Sequence, residues 1–143
     1  MKKAIFLSGV MKMFTKVIEP RVSETDGAGH INNTTLPVWL ESGRDEIFKL
    51  FTPDLSFDNW RCVILKMEVE YVSQIYYGYP VEVKTWVSDV GNSSFKLYEE
   101  IHQNNELCAI GKAVYVNFDF SAQQSQPISK EIRIELEKHK IIH

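Results

Sequence analysis

The stretch from Arg21 to Phe51, RVSETDGAGHINNTTLPVWLESGRDEIFKLF, does most to limit what this chain can build. A polar, glycine-containing loop holds Asp26, Gly27, Gly29, His30, Asn32 and Asn33 and runs directly into a helical pattern. Leu36, Trp39, Leu40, Gly43, Ile47 and Leu50 recur at the offsets of one buried face. Pro37, Glu41, Ser42, Arg44, Asp45 and Lys49 fall largely on the opposite, solvated side. The spacing therefore predicts one long helix ending near Phe51. Pro37 lies in its first turns, where a missing N–H costs least. Gly43 lies mid-helix, at a cost of about 1 kcal/mol relative to alanine. It is either tolerated there or required because another backbone passes close.

The remainder reads as strands. Phe14, Val17 and Val22 are the apolar members of a first strand over about Lys12 to Val22. Thr52 to Asn59, with Pro53, Asp54 and Asp58, reads as a loop. Val63, Leu65, Met67, Val69 and Tyr71 then alternate with Ile64, Lys66, Glu68 and Glu70, the period of an antiparallel strand with one solvated face. Further strands are expected over Val81 to Val87, Phe95 to His102 and Leu107 to Phe118. Turns at Tyr76–Pro80, Gly91–Ser93 and Gln103–Asn105 separate them. Ser121 to Gln126 reads as a polar linker, and Ser129 as the cap of a last helix bearing Ile132 and Leu136 on one face. Strand, helix, four strands and a short helix make an α+β arrangement. No repeat or boundary divides the 143 residues, so one domain is expected.

The composition excludes some functions. The net charge is −3 and no basic stripe appears, which argues against nucleic acid as a partner. No segment approaches the roughly 18 apolar residues of a membrane span. The N-terminal MKKAIFLSGVMKMF has a short apolar run soon followed by Lys12 and Lys16 and lacks a small-residue cleavage site, so a cytoplasmic chain is expected. Cys62 and Cys108 sit in apolar strands and read as buried thiols of a reducing compartment. Their spacing offers no zinc site, and no metal is expected.

Chemistry is sought where the loop meets the helix. A helix start exposes backbone N–H donors, and Asp26 lies a few residues upstream. Asp26 can act as a nucleophile or as a general base on water, with N–H groups near Asn32 and Asn33 holding a developing oxyanion. On the chemistry alone the commoner job of an aspartate in a glycine-rich loop, closing an Asx-turn, is the stronger reading. His30 is either a base or ligand, or a hydrogen-bonding residue at the helix start. Asn33 is the expected N-cap. Glu41 either faces a ligand or pairs on the solvated face. The serine-hydrolase elbow, the P-loop and the dinucleotide fingerprint are all missing.

The run R-x-x-E-T-D-G-A-G-H-I-N-N, from Arg21 to Asn33, followed by WLESGRDEIF, resembles the hydroxybenzoyl-CoA thioesterase family of hotdog-fold acyl-CoA thioesterases. EVEYVSQIYYGYPVEVKTWV, from Glu68 to Val87, is similar to that family's second strand, turn and third strand. NSSFKLYEEI leading into CAIGKAVYVNFDF continues the likeness, which spans about Thr15 to Leu136. The resemblance implies an antiparallel sheet wrapped round a central helix. It implies a homodimer or homotetramer with active sites at the subunit interface. The family's catalytic carboxylate falls on Asp26 and its backbone donor at the helix start near Asn32, with Gly29, His30 and Asn33 lining the substrate site. No cofactor is implied, because the coenzyme A thioester is itself the substrate. One departure concerns the third hairpin, where members that grip coenzyme A often carry Arg or Lys. Asn92 and Ser93 stand there instead, which keeps an acyl-carrier-protein thioester open.

Two rival readings remain. A hotdog dehydratase would resemble a pattern with Asp and His five residues apart around Asn-Pro, whereas Asp26 and His30 are four apart without proline. A non-catalytic acyl-CoA-binding or regulatory protein has no need of Asp26, and free-thiol release from acyl-CoAs separates it from an enzyme.

Overall fold

The computed structural model describes residues 12–141. The N-terminal run weighed above against a secretory signal lies mostly outside them. The elements in chain order are β1 (Phe14–Ile18), α1 (Leu36–Ser42), α2 (Asp45–Phe51), β2 (Cys62–Tyr71), β3 (Val81–Val90), β4 (Ser94–Gln103), β5 (Glu106–Asp119), β6 (Gln124–Ser125) and α3 (Lys130–Lys138). Single 3-10 turns cover Val22–Glu24, Asn33–Thr35 and Phe57–Asn59. The long strands form one antiparallel sheet in the order β1-β3-β4-β5-β2. α1 and α2 pack on one face of it, which is the expected α+β arrangement.

The hairpins follow their turn residues. Asn104 and Asn105 both take positive φ, 52° and 65°, as a two-residue connection between twisted strands needs. The Gly91 N–H donates to Ser94 O at 2.7 Å across the other tight turn. Ser129 caps α3 by accepting from Ile132 N–H at 3.2 Å, and Leu136 on that helix is fully buried. Four expectations need correction here. The first strand is only Phe14–Ile18, and Val17 and Val22 are exposed because β1 is an edge strand and Val22 opens a 3-10 turn. The alternation of β2 fails at Leu65, where the register with β5 shifts between Ile64 and Lys66. The extra residue of this bulge turns Leu65 outward, leaving it 62% exposed. The supposed linker after Phe120 instead folds back, with Gln124 and Ser125 pairing with Asp119 and Phe118.

The fourth correction is the long helix, which is broken at Gly43–Arg44 into two seven-residue helices. Its cause lies in the sheet below. Across β3, β4 and β5, Thr85 pairs with Glu99 and Glu99 with Gly111, a row that is polar or lacks a side chain. Arg44, placed by helical spacing on the solvated side, turns inward at the break and is fully buried on this row. Its Nε donates to Glu99 Oε1 at 2.9 Å, its Nη2 lies 2.8 Å from the same oxygen, and its Nη1 donates to Tyr115 OH at 2.8 Å. The Thr85 hydroxyl donates to Glu99 Oε2 at 2.7 Å. Burial pushes the Glu99 carboxyl above its ordinary value, against the opposing pull of Arg44 and Thr85. Gly43 is thus explained, though by side chains rather than a passing backbone. A Cβ there would lie 2.7 Å from Val83 Cγ1 and 3.0 Å from Thr85 Oγ1.

The polar row divides the core. On one side α2, α3 and the Phe95 end of the sheet enclose Ile47, Phe51, Leu97 and Leu136. On the other, α1 encloses Trp39, Leu40, Val83 and Ile101, together with Ile31 of the loop and Ile75 of the β2–β3 connection. The second half carries the loop singled out from sequence.

Candidate active site

The loop between β1 and α1 is fixed mainly by its own backbone. The Asp26 N–H donates to His30 O at 2.9 Å, and the Asn32 N–H to Glu24 O at 2.8 Å. Gly27 and Gly29 adopt φ of 92° and 86°, with nothing within 4 Å of a built Cβ. Glycine is therefore needed here for conformation rather than for space. Glu24 ties the loop to α1. Its carboxylate accepts from Arg21 N–H at 2.7 Å and from the Trp39 indole N–H at 3.1 Å. Burial opposes ionisation of Glu24, but these bonds and the Arg21 charge outweigh it and hold the carboxyl below its ordinary value.

Asp26 accepts from Ala28 N–H at 2.9 Å through Oδ1, so the Asx-turn is present. Oδ2 is not used by that turn and lies 3.9 Å from His30 Nδ1. The turn and a chemical role are compatible, because they use different oxygens. Asn32, not Asn33, caps the 3-10 turn Asn33–Thr35 that leads into α1: its Oδ1 accepts from Thr34 N–H at 3.0 Å, whereas Thr35, at the N-cap position of α1 itself, makes no side-chain capping bond. The Asn32 N–H is engaged by Glu24 O, so the amide at this helix start with no acceptor among the described residues is that of Asn33. The Asn33 carbonyl accepts from Tyr71 OH at 3.0 Å. The break after Ser42 also shortens the helix behind this amide to seven residues. The local N–H, rather than a long summed dipole, is what the site offers.

Asp26, Ile31, Asn33 and Leu36 form one side of a cleft of about 530 Å³, and residues 71–75 form the other. His30 and Gly29 stand behind it. The His30 ring meets the edge of Tyr76 at 5.1 Å between centroids, and Gly29 O accepts from Tyr77 N–H at 2.9 Å. A second cleft of about 530 Å³, lined in part by Trp60, Arg61, Phe118 and Phe120, contains none of the candidate site residues Asp26, Gly29, His30, Asn32 and Asn33. The first cleft is the stronger candidate because it holds a carboxylate oxygen outside the turn and a backbone donor together. Glu41 is exposed on α1 and does not line it. Among the described residues no three His, Cys, Asp or Glu side chains gather as a metal ion would require.

Sequence reasoning missed Glu24, Tyr71 and Gln103, which position the loop and cleft. For Glu24 the Arg21-x-x-Glu24 spacing is a usable signal, since the Glu24 carboxylate reaches back to accept from the Arg21 N–H at 2.7 Å and pairs with its guanidinium at 3.4 Å. Tyr71 and Gln103 act across 38 and 27 residues of chain, and local pattern carries no trace of them.

A family profile described as the thioesterase-like superfamily matches residues 20–136. No curated protein matches the chain. Among solved structures, a predicted thioesterase from Bacillus stearothermophilus is 62% identical, with 90% of this chain and 96% of that one covered and a TM-score of 0.87. A thioesterase from Thermus thermophilus, complexed with coenzyme A and Zn, is 26% identical over 85% of this chain and 95% of that one, with a TM-score of 0.77. A DHNA-CoA thioesterase from Staphylococcus aureus, 24% identical over 88% and 87% of the two chains with a TM-score of 0.74, shares the fold. The sheet that carries α1 and α2 on one face, the carboxylate loop ahead of α1 and the match over residues 20–136 agree: this chain belongs to the thioesterase-like superfamily and is a thioester hydrolase of the hotdog fold.

Proposed function

We propose that the protein hydrolyses an acyl-CoA thioester in the cleft between the Asp26 loop and residues 71–75. The observation that carries this reading is the presence of Asp26 and Asn33 in one cleft, with Oδ2 of the first and the N–H of the second both uncommitted to the loop's own bonds. The thioester carbonyl accepts from the Asn33 N–H, which stabilises the oxyanion as it forms. Either Asp26 Oδ2 attacks the carbonyl carbon, the thiolate leaves and water cleaves the resulting mixed anhydride to release the acid and free Asp26, or Asp26 takes a proton from a water that adds to the carbonyl and passes that proton to the departing thiolate. Gly29 and His30 shape the loop behind Asp26, and the Asn32 side chain, as the N-cap, fixes the direction of the Asn33 amide. Coenzyme A is favoured over acyl-carrier protein as the carrier because the Thermus relative was solved with it.

A homodimer or larger homo-oligomer is part of this reading. β2 is an edge strand of ten residues that exposes Ile64, Leu65 and Tyr71, and the cleft opens at its C-terminal end. An edge of this kind calls for a cover, and a second copy supplies one that also closes the cleft to water. The two free, buried cysteines fit a cytoplasmic location. Among the described residues no helix is long and apolar enough to cross a membrane.

The test is free-thiol release from a panel of acyl-CoAs and acyl-carrier-protein thioesters, with Asp26→Asn beside the unaltered protein. That change keeps the shape and the turn but removes the charge. Turnover on the best substrate is expected to fall at least about a hundredfold, within the 10²–10⁴ typical of a positioned acid or base. Near-normal kcat would reduce Asp26 to a turn residue.

A further inference from the structure

Gln103, at the end of β4, is only 5% exposed, and its amide is spent entirely on one turn. Its Oε1 accepts from Tyr76 N–H at 2.9 Å, and its Nε2 donates to Tyr76 O at 2.8 Å and Tyr79 O at 2.9 Å. A side-chain amide has two donor hydrogens and a carbonyl, so no shorter or singly polar side chain reproduces this set. The turn is itself zipped to the carboxylate loop over three successive residues. The Ile31 N–H donates to Ile75 O at 2.8 Å and the Tyr77 N–H to Gly29 O at 2.9 Å, two bonds that flank the His30–Tyr76 pair, which itself shares none. The same His30 then holds Asp26, whose N–H donates to His30 O at 2.9 Å. Hydrogen bonds and short lengths of backbone therefore connect the buried Gln103, through Tyr76 and its neighbours Ile75 and Tyr77, to Gly29–Ile31 and from His30 to Asp26.

We propose that Gln103 is a positioning residue of the hydrolysis, fixing Asp26 through the Tyr76 and His30 backbones. This rests on the reading of Asp26 as the reacting carboxylate. Gln103 does not line the cleft, so its role is to place the carboxylate rather than to bind substrate. It removes the freedom of the backbone that braces the Gly27–Gly29 loop from outside, so its loss moves Asp26 Oδ2 relative to the Asn33 N–H. A misplacement of about 1 Å in reacting groups can cost on the order of a hundredfold in rate.

The test compares Gln103→Met with Asn117→Ala. Asn117 is a fully buried amide that staples a loop in the same manner at the opposite end of the sheet, donating to Gln126 O and Pro127 O and accepting from Arg61. Both variants are measured with the acyl-CoA that the unaltered protein turns over best, at a temperature where each is folded. Gln103→Met is expected to lower kcat about ten- to a hundredfold with KM within about threefold, because only the placement of the carboxylate changes. Asn117→Ala should keep kcat within about threefold. Gln103→Asn, which keeps the amide but withdraws it by one methylene from Tyr76 and Tyr79, serves if Gln103→Met does not fold, and should lower kcat in the same way. A kcat for both Gln103 variants equal to that of Asn117→Ala, or a loss confined to KM, would overturn the proposal. Asp26→Asn in the same assay separates the two ideas. If it is inactive while the Gln103 variants keep full kcat, only the positioning role falls; if it stays active, both fall.

Discussion

Gly43→Ala is the sharpest probe of the packing beneath the helix break. The added Cβ would sit 2.7 Å from Val83 Cγ1, where carbon pairs settle at about 3.5–4.0 Å, so roughly 1 Å must be found. Val83 has little to give. It is fully buried, its χ1 is stiff because it is β-branched, and its backbone is locked between Lys16 and Ile101. Thr85 Oγ1, 3.0 Å away, cannot retreat without lengthening its bond to Glu99. Overpacking of this kind costs about 1–3 kcal/mol. The backbone at Gly43, φ −76° and ψ −4°, suits alanine, which returns about 0.4–1 kcal/mol through the unfolded chain. The balance is a loss of about 1–2 kcal/mol, or a Tm lower by about 2–8 °C at this chain length. Calorimetry at fixed protein concentration measures it, since assembly also shifts Tm. An unchanged or higher Tm would refute the close approach of α1 and α2 to β3 and β4.

The remaining predictions concern assembly, the buried ion pair and pH. Light scattering at micromolar concentration should give a dimer or larger oligomer, and a fully active monomer would remove the idea that a second copy closes the cleft. Arg44→Met leaves the Glu99 carboxylate buried without its partner and should cost about 3–5 kcal/mol in urea unfolding, while Arg44→Met with Glu99→Leu should recover much of that loss; equal losses would show that the pair is not coupled. Glu24 has a carboxyl held below its ordinary value, so the stability it contributes is present above that ordinary value and is lost as pH falls below it. Unfolding midpoints from pH 6 to about pH 3 should therefore drop more steeply for the unaltered protein than for Glu24→Gln, and parallel curves would refute the link.

The strands were legible because their period is local. β3 and β4 alternate cleanly, and the Asn104–Asn105 turn carries its own conformational signature. Two failures, at Arg44 and at Leu65, have one physical character: each was decided by a partner distant in sequence. Arg44 looks solvated at helical spacing, yet Glu99, 55 residues away, draws it into the core and the helix breaks to admit it. Leu65 follows the apolar beat of β2, but the pairing with β5 slips beside it and turns it outward. A buried ion pair of this kind is weak evidence for added stability. What it does specify is where the helix bends, and hence which residues belong to the core half that supports the carboxylate loop.

The site was legible to the loop but not to the atom. The glycines at positive φ and the aspartate just ahead of them mark the loop, because only a tight backbone excursion needs that pattern. Which amide is left over is a matter of hydrogen-bond accounting. Once Glu24 O takes the Asn32 N–H and the Asn32 side chain takes the Thr34 N–H, the unspent donor moves one residue on, to Asn33. Sequence spacing cannot do this sum, since Glu24 reaches Asn32 across the whole loop. The same accounting explains how the loop holds the Asp26 carboxylate with so few side-chain contacts. Backbone bonds at Glu24, Asp26, Gly29 and Ile31 fix its path, so Asp26 spends one oxygen on the turn and leaves the other outside it, which is what the proposed hydrolysis requires.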